Sequence, residues 1–288
     1  MNRRRFLCLT AAVLAPASAL MPSPAPAATW AGRGLGAALG VTLHGADPGR
    51  AALTFARVER EIDRIETLFS LYRDSALTRL NRDGRLAWPS NDMLGILDLA
   101  ARVHRATGGA FDPSVQPLWQ AMATGGDREA ARALIGLDRL RLTPQEIALG
   151  RGQALTLNGI AQGWTADRIA ALLRAEGYGA ALIDMGELAA IGAPPQQVAI
   201  AGPQGRWLAD TQLADRALAT SSPGGTLLAG QPHILGPSGQ PPLWQTVAVS
   251  APSAALADAL STAFCLMPRP AIARALAAFP GARIEVMA

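Results

Sequence analysis

Asp258 and Thr262, in the stretch Ala257-Asp-Ala-Leu-Ser-Thr-Ala263, stand four residues apart. In a helix that spacing projects both side chains from one face. A carboxylate beside a hydroxyl is an oxygen-only pair, suited to a hard cation such as Mg²⁺ and poorly suited to zinc. Mg²⁺ takes few protein ligands and fills its shell with water and substrate phosphates, so a pair can begin a site. The same two residues could also simply hydrogen-bond within a core or cap a helix.

A second stretch, Leu155-Thr-Leu-Asn-Gly-Ile-Ala-Gln-Gly-Trp-Thr-Ala-Asp167, runs from an extended apolar segment through Asn158 and Gly159 into a helical pattern after Gly163. Strand, small-residue turn and helix start, in that order, aim free N–H groups at an approaching anion. A turn closed only for packing has the same composition. Asp112, in Gly-Gly-Ala-Phe-Asp-Pro, could read a ligand's polar edge or cap its own turn. His233 opens an extended run after a loop and is the histidine whose setting most favours chemistry. His104 shares a helix stripe with Met93, Leu97 and Ala100 and reads as a core or boundary residue. No Cys/His cluster with zinc spacing occurs, nor a Gly-x-Ser-x-Gly elbow. All 26 basic residues are arginine, which excludes a Walker-type phosphate loop and any lysine mechanism.

The elements that must position these residues follow from periodicity. Ala51–Phe69 is a helix with Val58, Ile62, Ile65 and Phe69 on one face, followed by a polar loop and a short helix to Asn81. A helix over about Asp92–Arg105 ends at the glycines of Thr107-Gly-Gly-Ala-Phe-Asp-Pro113. Further helices are expected at 128–135, from the central turn to about Glu176, at Ser253–Leu266 and at Pro270–Ala278. Strands are expected at 35–44, near 139–142 and 154–157, and at Ala180–Met185, Gln197–Ala201, Trp207–Leu213, Arg216–Thr220, Thr246–Ala251 and Arg283–Met287. Helices and strands are interspersed without strict alternation, which predicts an α+β fold with mixed or antiparallel sheets in a single compact unit.

The N-terminus predicts a compartment. Asn2-Arg-Arg-Arg-Phe-Leu7 fits a twin-arginine export pattern, an apolar run follows to about Met21, and Ala25-Pro-Ala-Ala28 offers a cleavage site. Residues 1–27 are therefore expected to be a signal peptide and 28–288 the mature, periplasmic domain. Losing Arg3, Arg4 and Arg5 lowers the formal charge from +4 to +1, so the basic balance is no argument for nucleic-acid binding. Cys8 would leave as well, and Cys265 would stand alone.

Four stretches, in order, resemble the ApbE-type FAD:protein FMN transferases: Phe69-Ser-Leu-Tyr-Arg-Asp-Ser-Ala-Leu-Thr-Arg-Leu-Asn81, Thr107-Gly-Gly-Ala-Phe-Asp-Pro-Ser-Val115, Leu157-Asn-Gly-Ile-Ala-Gln-Gly-Trp-Thr-Ala-Asp167 and Ala257-Asp-Ala-Leu-Ser-Thr-Ala263. Weaker matches lie at Ala219-Thr-Ser-Ser222 and His233-Ile-Leu-Gly-Pro-Ser-Gly239. The resemblance implies an enzyme that binds FAD with Mg²⁺ on its pyrophosphate and transfers FMN to a Ser or Thr of an electron-transfer flavoprotein, releasing AMP. By motif position, Asp258, Thr262 and the Gly159 carbonyl would hold the metal. Tyr72, Ala110, Phe111 and Asp112 would line the flavin site, Gln162 and Ser261 would approach FAD, and Leu35 and Thr156 complete the cofactor-binding set. His233 takes the place of the family's histidine near the reacting phosphate and, with Asp258, makes the catalytic pair. The base is left open between His233, a metal-bound water and another acid.

This chain departs from the family pattern at Thr156 (usually Asp), Asn158 (Gly), Gln162 (Lys or Glu), Gly236 (Asp) and Leu35 (Met). These changes keep two alternatives in play: a flavin-binding or delivery protein without turnover, and a hydrolase splitting FAD to FMN and AMP. A membrane would be met only through a membrane-bound acceptor.

Overall fold

The computed structural model describes residues 27–288. Its frame is a seven-stranded sheet: β1 (Ala27–Gly34), β2 (Ala37–His44), β3 (Ala180–Asp184), β4 (Leu188–Gly192), β5 (Ala217–Ser221), β6 (Val247–Ala251) and β7 (Arg283–Met287). The strands lie in chain order and every neighbouring pair is antiparallel. The expected α+β, antiparallel architecture is the one observed.

Everything else is an excursion between neighbouring strands. Between β2 and β3 come α1 (Pro48–Phe69), α2 (Ala76–Asp83), α3 (Asn91–Ala106), α4 (Gln116–Thr124), α5 (Arg128–Arg132) and α6 (Ala161–Ala175). A hairpin of Gln196–Ala201 with Trp207–Leu213 separates β4 from β5, and the His233 loop separates β5 from β6. Between β6 and β7 lie α7 (Ala254–Phe264) and α8 (Arg269–Ala277).

Alternation explains how the layers close. Ala181, Ile183, Ala189 and Ile191 face α1 and α6, meeting Val58, Ile62, Ile169 and Leu173. Leu182, Leu188 and Ala190 face the opposite way, against Val198, Ile200 and Leu213 of the hairpin. A strand covered on both faces has no polar side to show, which is why Leu188–Gly192 carries no alternation. The largest core joins α2, α3, α7 and α8 to β6. Val58 and Ile65 of α1 are fully buried, each worth roughly 1.5–3 kcal/mol, so a charge at either would break the helix away from its layer.

Several boundaries differ from the sequence expectation. The first strand starts at Ala37, and residues 35–36 form the turn of a hairpin with the unanticipated β1. The strand expected near 139–142 is present at Arg141–Leu142, in a small three-stranded sheet with Arg85–Ala87 and Glu146–Ala148, whereas the one expected at 154–157 is not formed. Residues 154–157 join no ladder. Leu155 is instead held by the Asn81 side chain, which accepts its N–H at 2.7 Å and donates to its carbonyl at 2.8 Å. The helix expected at 128–135 is shorter, and α4 was not anticipated. The export motif and Cys8 lie outside the described residues.

Candidate active site

Two helices from different excursions meet at the centre of the site. α6 brings Gly163 so close to the start of α7 that a Cβ there would sit 2.3 Å from the Ala254 carbonyl oxygen. No side chain fits, and glycine's poor helix propensity is tolerated for that contact. The approach lets the Gly163 N–H donate to Oδ2 of Asp258 at 3.1 Å. One turn along α6, Asp167 accepts from the N–H groups of Ala254 (2.8 Å) and Ala255 (3.0 Å) and from the Ser253 hydroxyl (2.7 Å). A helix start carries unpaired N–H groups and partial positive charge, so this carboxylate caps α7 from a neighbouring helix. Burial raises the Asp167 carboxyl, opposed by those three hydrogen bonds.

Asp258 is 3% exposed. Burial pushes its carboxyl from 3.8 up to about 7, the Asp167 charge adds to the rise, and no cation is among the groups acting on it. A buried carboxylate without a cationic partner is unfavourable unless it takes up a proton or a cation. One turn on, Thr262 lies against the central turn, where a Cβ on Gly159 would be 3.0 Å from Thr262 Oγ1 and 3.4 Å from the Phe111 ring. The Thr262 hydroxyl thus lies against a side-chain-free backbone, one helical turn from the Asp258 carboxylate, and hydroxyl, carboxylate and backbone carbonyl are the oxygen donor types that suit Mg²⁺. Among the described residues no group of three or more His, Cys, Asp or Glu could hold a metal.

The remaining candidate residues arrange around this centre. Ser261 is fully buried and bonds the Ser221 hydroxyl at 2.8 Å and the Asp258 carbonyl at 3.0 Å. Ser221, at the end of β5, also meets Thr262 Oγ1 at 3.3 Å. Just beyond it, Pro223 offers its carbonyl to Nδ1 of His233 at 3.0 Å, with the Thr226 carbonyl at 3.1 Å. Carbonyls only accept, so Nδ1 carries the proton and Nε2 is left as the acceptor. Burial lowers the His233 pKa against the raising effect of those carbonyls, which favours the neutral ring.

Gln162 packs on Gly186, where φ is +92° and a Cβ would be 2.5 Å from Nε2 of Gln162. The same Nε2 donates to the Leu35 carbonyl at 3.4 Å. Leu35 sits at the β1–β2 hairpin tip with φ of 51°, and Tyr72 is 66% exposed on the loop after α1. Phe111 and half-buried Ala110 follow the α3 cap; the Phe111 carbonyl accepts from His104 Nδ1 at 2.9 Å, which gives that histidine a satisfied boundary position. Asp112 turns back into its own loop, accepting from the Ser114 N–H (2.8 Å) and hydroxyl (2.6 Å). The Thr156 N–H donates to the Pro113 carbonyl at 2.8 Å, and its hydroxyl accepts from the Asn158 N–H at 3.2 Å.

The structure therefore brings Thr262, Gly159 and Phe111 together, sets Asp258 and Ser261 on the same helix as Thr262, joins Leu35 to Gln162, and reaches His233 through residues 221–223. Sequence reasoning gave no role to Asp167 or Ser221. The signal for Asp167 was its place one turn after Gly163; Ser221 had none beyond a weak motif. An open cleft of about 760 Å³, bordered by Asn81, Arg82, Gln120 and Arg151, is lined by none of the candidate residues.

Fold and site define an α+β protein with a buried, oxygen-only centre between two inserted helices. The ApbE family model matches residues 35–287, and the chain belongs to that family. The flavin transferase ApbE from Vibrio cholerae shares the fold, with a TM-score of 0.77 over 91% of this chain and 94% of that one at 24% identity. The flavinyl transferase ApbE from Pseudomonas stutzeri gives a TM-score of 0.74 over 90% and 89% at 26% identity. The FAD:protein FMN transferase of Salmonella typhimurium is 31% identical over 205 residues, 63% of this chain but only 59% of that relative.

Proposed function

We propose that the protein transfers FMN from FAD to a Ser or Thr hydroxyl of a target flavoprotein, with Mg²⁺ held by Asp258, Thr262 and the Gly159 carbonyl. The observation that supports this most is Asp258, a buried carboxylate without a cationic partner at the contact of α6 and α7, in a chain of the ApbE family. Bound there, Mg²⁺ would neutralise charge on the pyrophosphate. The acceptor oxygen bonds to the phosphorus on the riboflavin side, the bond to the AMP oxygen breaks, and AMP leaves. His233 Nε2 takes the hydroxyl proton, its orientation set by the Pro223 and Thr226 carbonyls. Leu35, Tyr72, Ala110 and Phe111 line the flavin, Asp112 braces that loop, and Thr156, Gln162 and Ser261 approach the phosphates. Phosphoryl transfer depends on positioning and charge more than on a strong base, which suits a site with one histidine.

Export to the periplasm, with residues 1–27 removed as a signal peptide and 28–288 as the working domain, is part of the same proposal and rests on the twin-arginine pattern. The test is incubation of the mature chain with FAD, Mg²⁺ and a Thr-bearing acceptor domain. The expected result is an acceptor heavier by one FMN, together with free AMP. Flavin binding without FAD consumption would instead select a flavin-binding protein, the reading favoured by uncharged Gln162 packed on Gly186. FMN release without any acceptor would select a hydrolase.

A further inference from the structure

Glu66 lies outside the sequence motifs, yet it bonds both segments that carry the flavin-lining residues Leu35 and Tyr72 of the proposed site. Its Oε1 accepts the Leu35 N–H at 2.8 Å, and its Oε2 pairs with Nη1 of Arg73 at 2.9 Å. Arg73 follows Tyr72, and its other terminal nitrogen meets Asp63 at 2.9 Å. One carboxylate on the last turn of α1 thereby links the β1–β2 hairpin tip to the loop carrying Tyr72.

The hairpin tip needs such a tie. Leu35 and Gly36 both have positive φ, 51° and 79°, the pattern of a two-residue turn that favours Asn-Gly. A leucine in that region is strained and persists only when its surroundings hold it. Leu35 is held at both ends of its backbone, by Glu66 at the N–H and by Gln162 at the carbonyl. Neighbouring Gly34 is pressed onto α1, where a Cβ would be 2.9 Å from Ile62 and 3.7 Å from Glu66 Oε1. The turn therefore registers on the α1 face that Glu66 ends.

We infer that Glu66 is a positioning residue that fixes Leu35 and the Tyr72–Arg73 loop relative to one another, so that the flavin meets a preformed cleft. The inference rests on the flavin-transferase reading. A positioning role predicts a split between binding and chemistry. Glu66→Ala should weaken FAD binding, followed by flavin fluorescence, by about tenfold, with the transfer rate at saturating FAD within about twofold of the parent. Leu35→Gly adopts the turn without strain, so adding it to Glu66→Ala should cost less than Leu35→Gly costs alone; a merely structural role would give additive losses. Glu66→Gln, which keeps an acceptor for the Leu35 N–H, should restore part of the affinity. If the parent binds FAD and Glu66→Ala binds it equally well, or if affinity and saturated rate fall together, the inference is overturned while the function stands. If the parent binds no FAD, the functional reading fails and takes the inference with it.

Discussion

In the proposed metal site, Asp258 is the residue whose role can be checked without an acceptor. Between pH 3.8 and about 7 the folded chain keeps a proton on this carboxyl that the unfolded chain has lost. Stability of the metal-free protein therefore falls as pH rises through that window. Mg²⁺ needs the ionised carboxylate, so its affinity rises over the same range. In chelator, Asp258 should make Tm lower at about pH 8 than at about pH 6, and Mg²⁺ should raise Tm more at the higher pH. Equal Mg²⁺ shifts at both values would remove Asp258 from the metal site. Asp258→Asn deletes the buried charge: it should raise the metal-free Tm at about pH 8 while transfer falls by about 100-fold or more. His233 gives the opposite titration. Its pKa is lowered from 6.5, so the neutral base persists to lower pH; with Mg²⁺ kept saturating so that Asp258 stays ionised, single-turnover transfer should decline only on the acid side of 6.5. His233→Ala should cost roughly 10²–10⁴ in rate and erase that acid limb. A parallel acid limb in the variant would assign the proton transfer elsewhere.

At the scale of elements, two glycines separate packing from function. Gly163→Ala would drive a methyl into the Ala254 carbonyl, forcing α6 and α7 apart at a cost of about 2–4 kcal/mol, measured by denaturant unfolding. Gly159→Ala would meet Thr262 at 3.0 Å, where a small side-chain movement suffices. It should cost less than about 1 kcal/mol yet lower transfer about tenfold or more, because the methyl enters the donor set. Similar stability losses in the two variants would count against this division. The contact between these helices was only half legible in the chain. Asp258 and Thr262 could be paired from their spacing alone, because a helix fixes which residues share a face. Asp167 caps a helix start 86–88 residues away and Ser221 meets Ser261 across 40, distances over which local pattern carries no information. Leu155-Thr-Leu157 alternates like a strand, but Leu155 is paired by the side chain of Asn81, 74 residues away, and Thr156 by the Pro113 carbonyl. α4 gave no clear periodic signal; its Pro117 occupies the first turn, where no N–H is needed. The small alternating residues of Ala27–Gly34 give little signal for an edge strand.

For the whole molecule, the order of the sheet was legible only in outline. The strand-rich second half and the inserted helices were visible, but not that the strands would lie side by side in chain order. That order means each functional segment leaves the sheet and returns to the next strand, so the scaffold closes through contacts between successive strands while the site collects residues from distant excursions. The division is sharp at the hairpin of 196–213. Everything before it, including Leu35, Tyr72, Phe111, Gly159 and Gln162, belongs to β1–β4 and their insertions; His233, Asp258 and Thr262 belong to β5–β7.

The tip of that hairpin, Pro203–Gly205, is a partly exposed turn in which Gln204 has φ of 62°. Cutting the backbone there would yield two polypeptides, each with one strand of the hairpin and one side of the central sheet. The first would carry Gly159 and Glu66 and the second Asp258 and Thr262, so neither could complete the donor set by itself. Co-expressed, they should recombine through β4 and β5, with flavin transfer returning only on association. The fold would then serve as a split reporter, its output gated by whatever brings the fragments together.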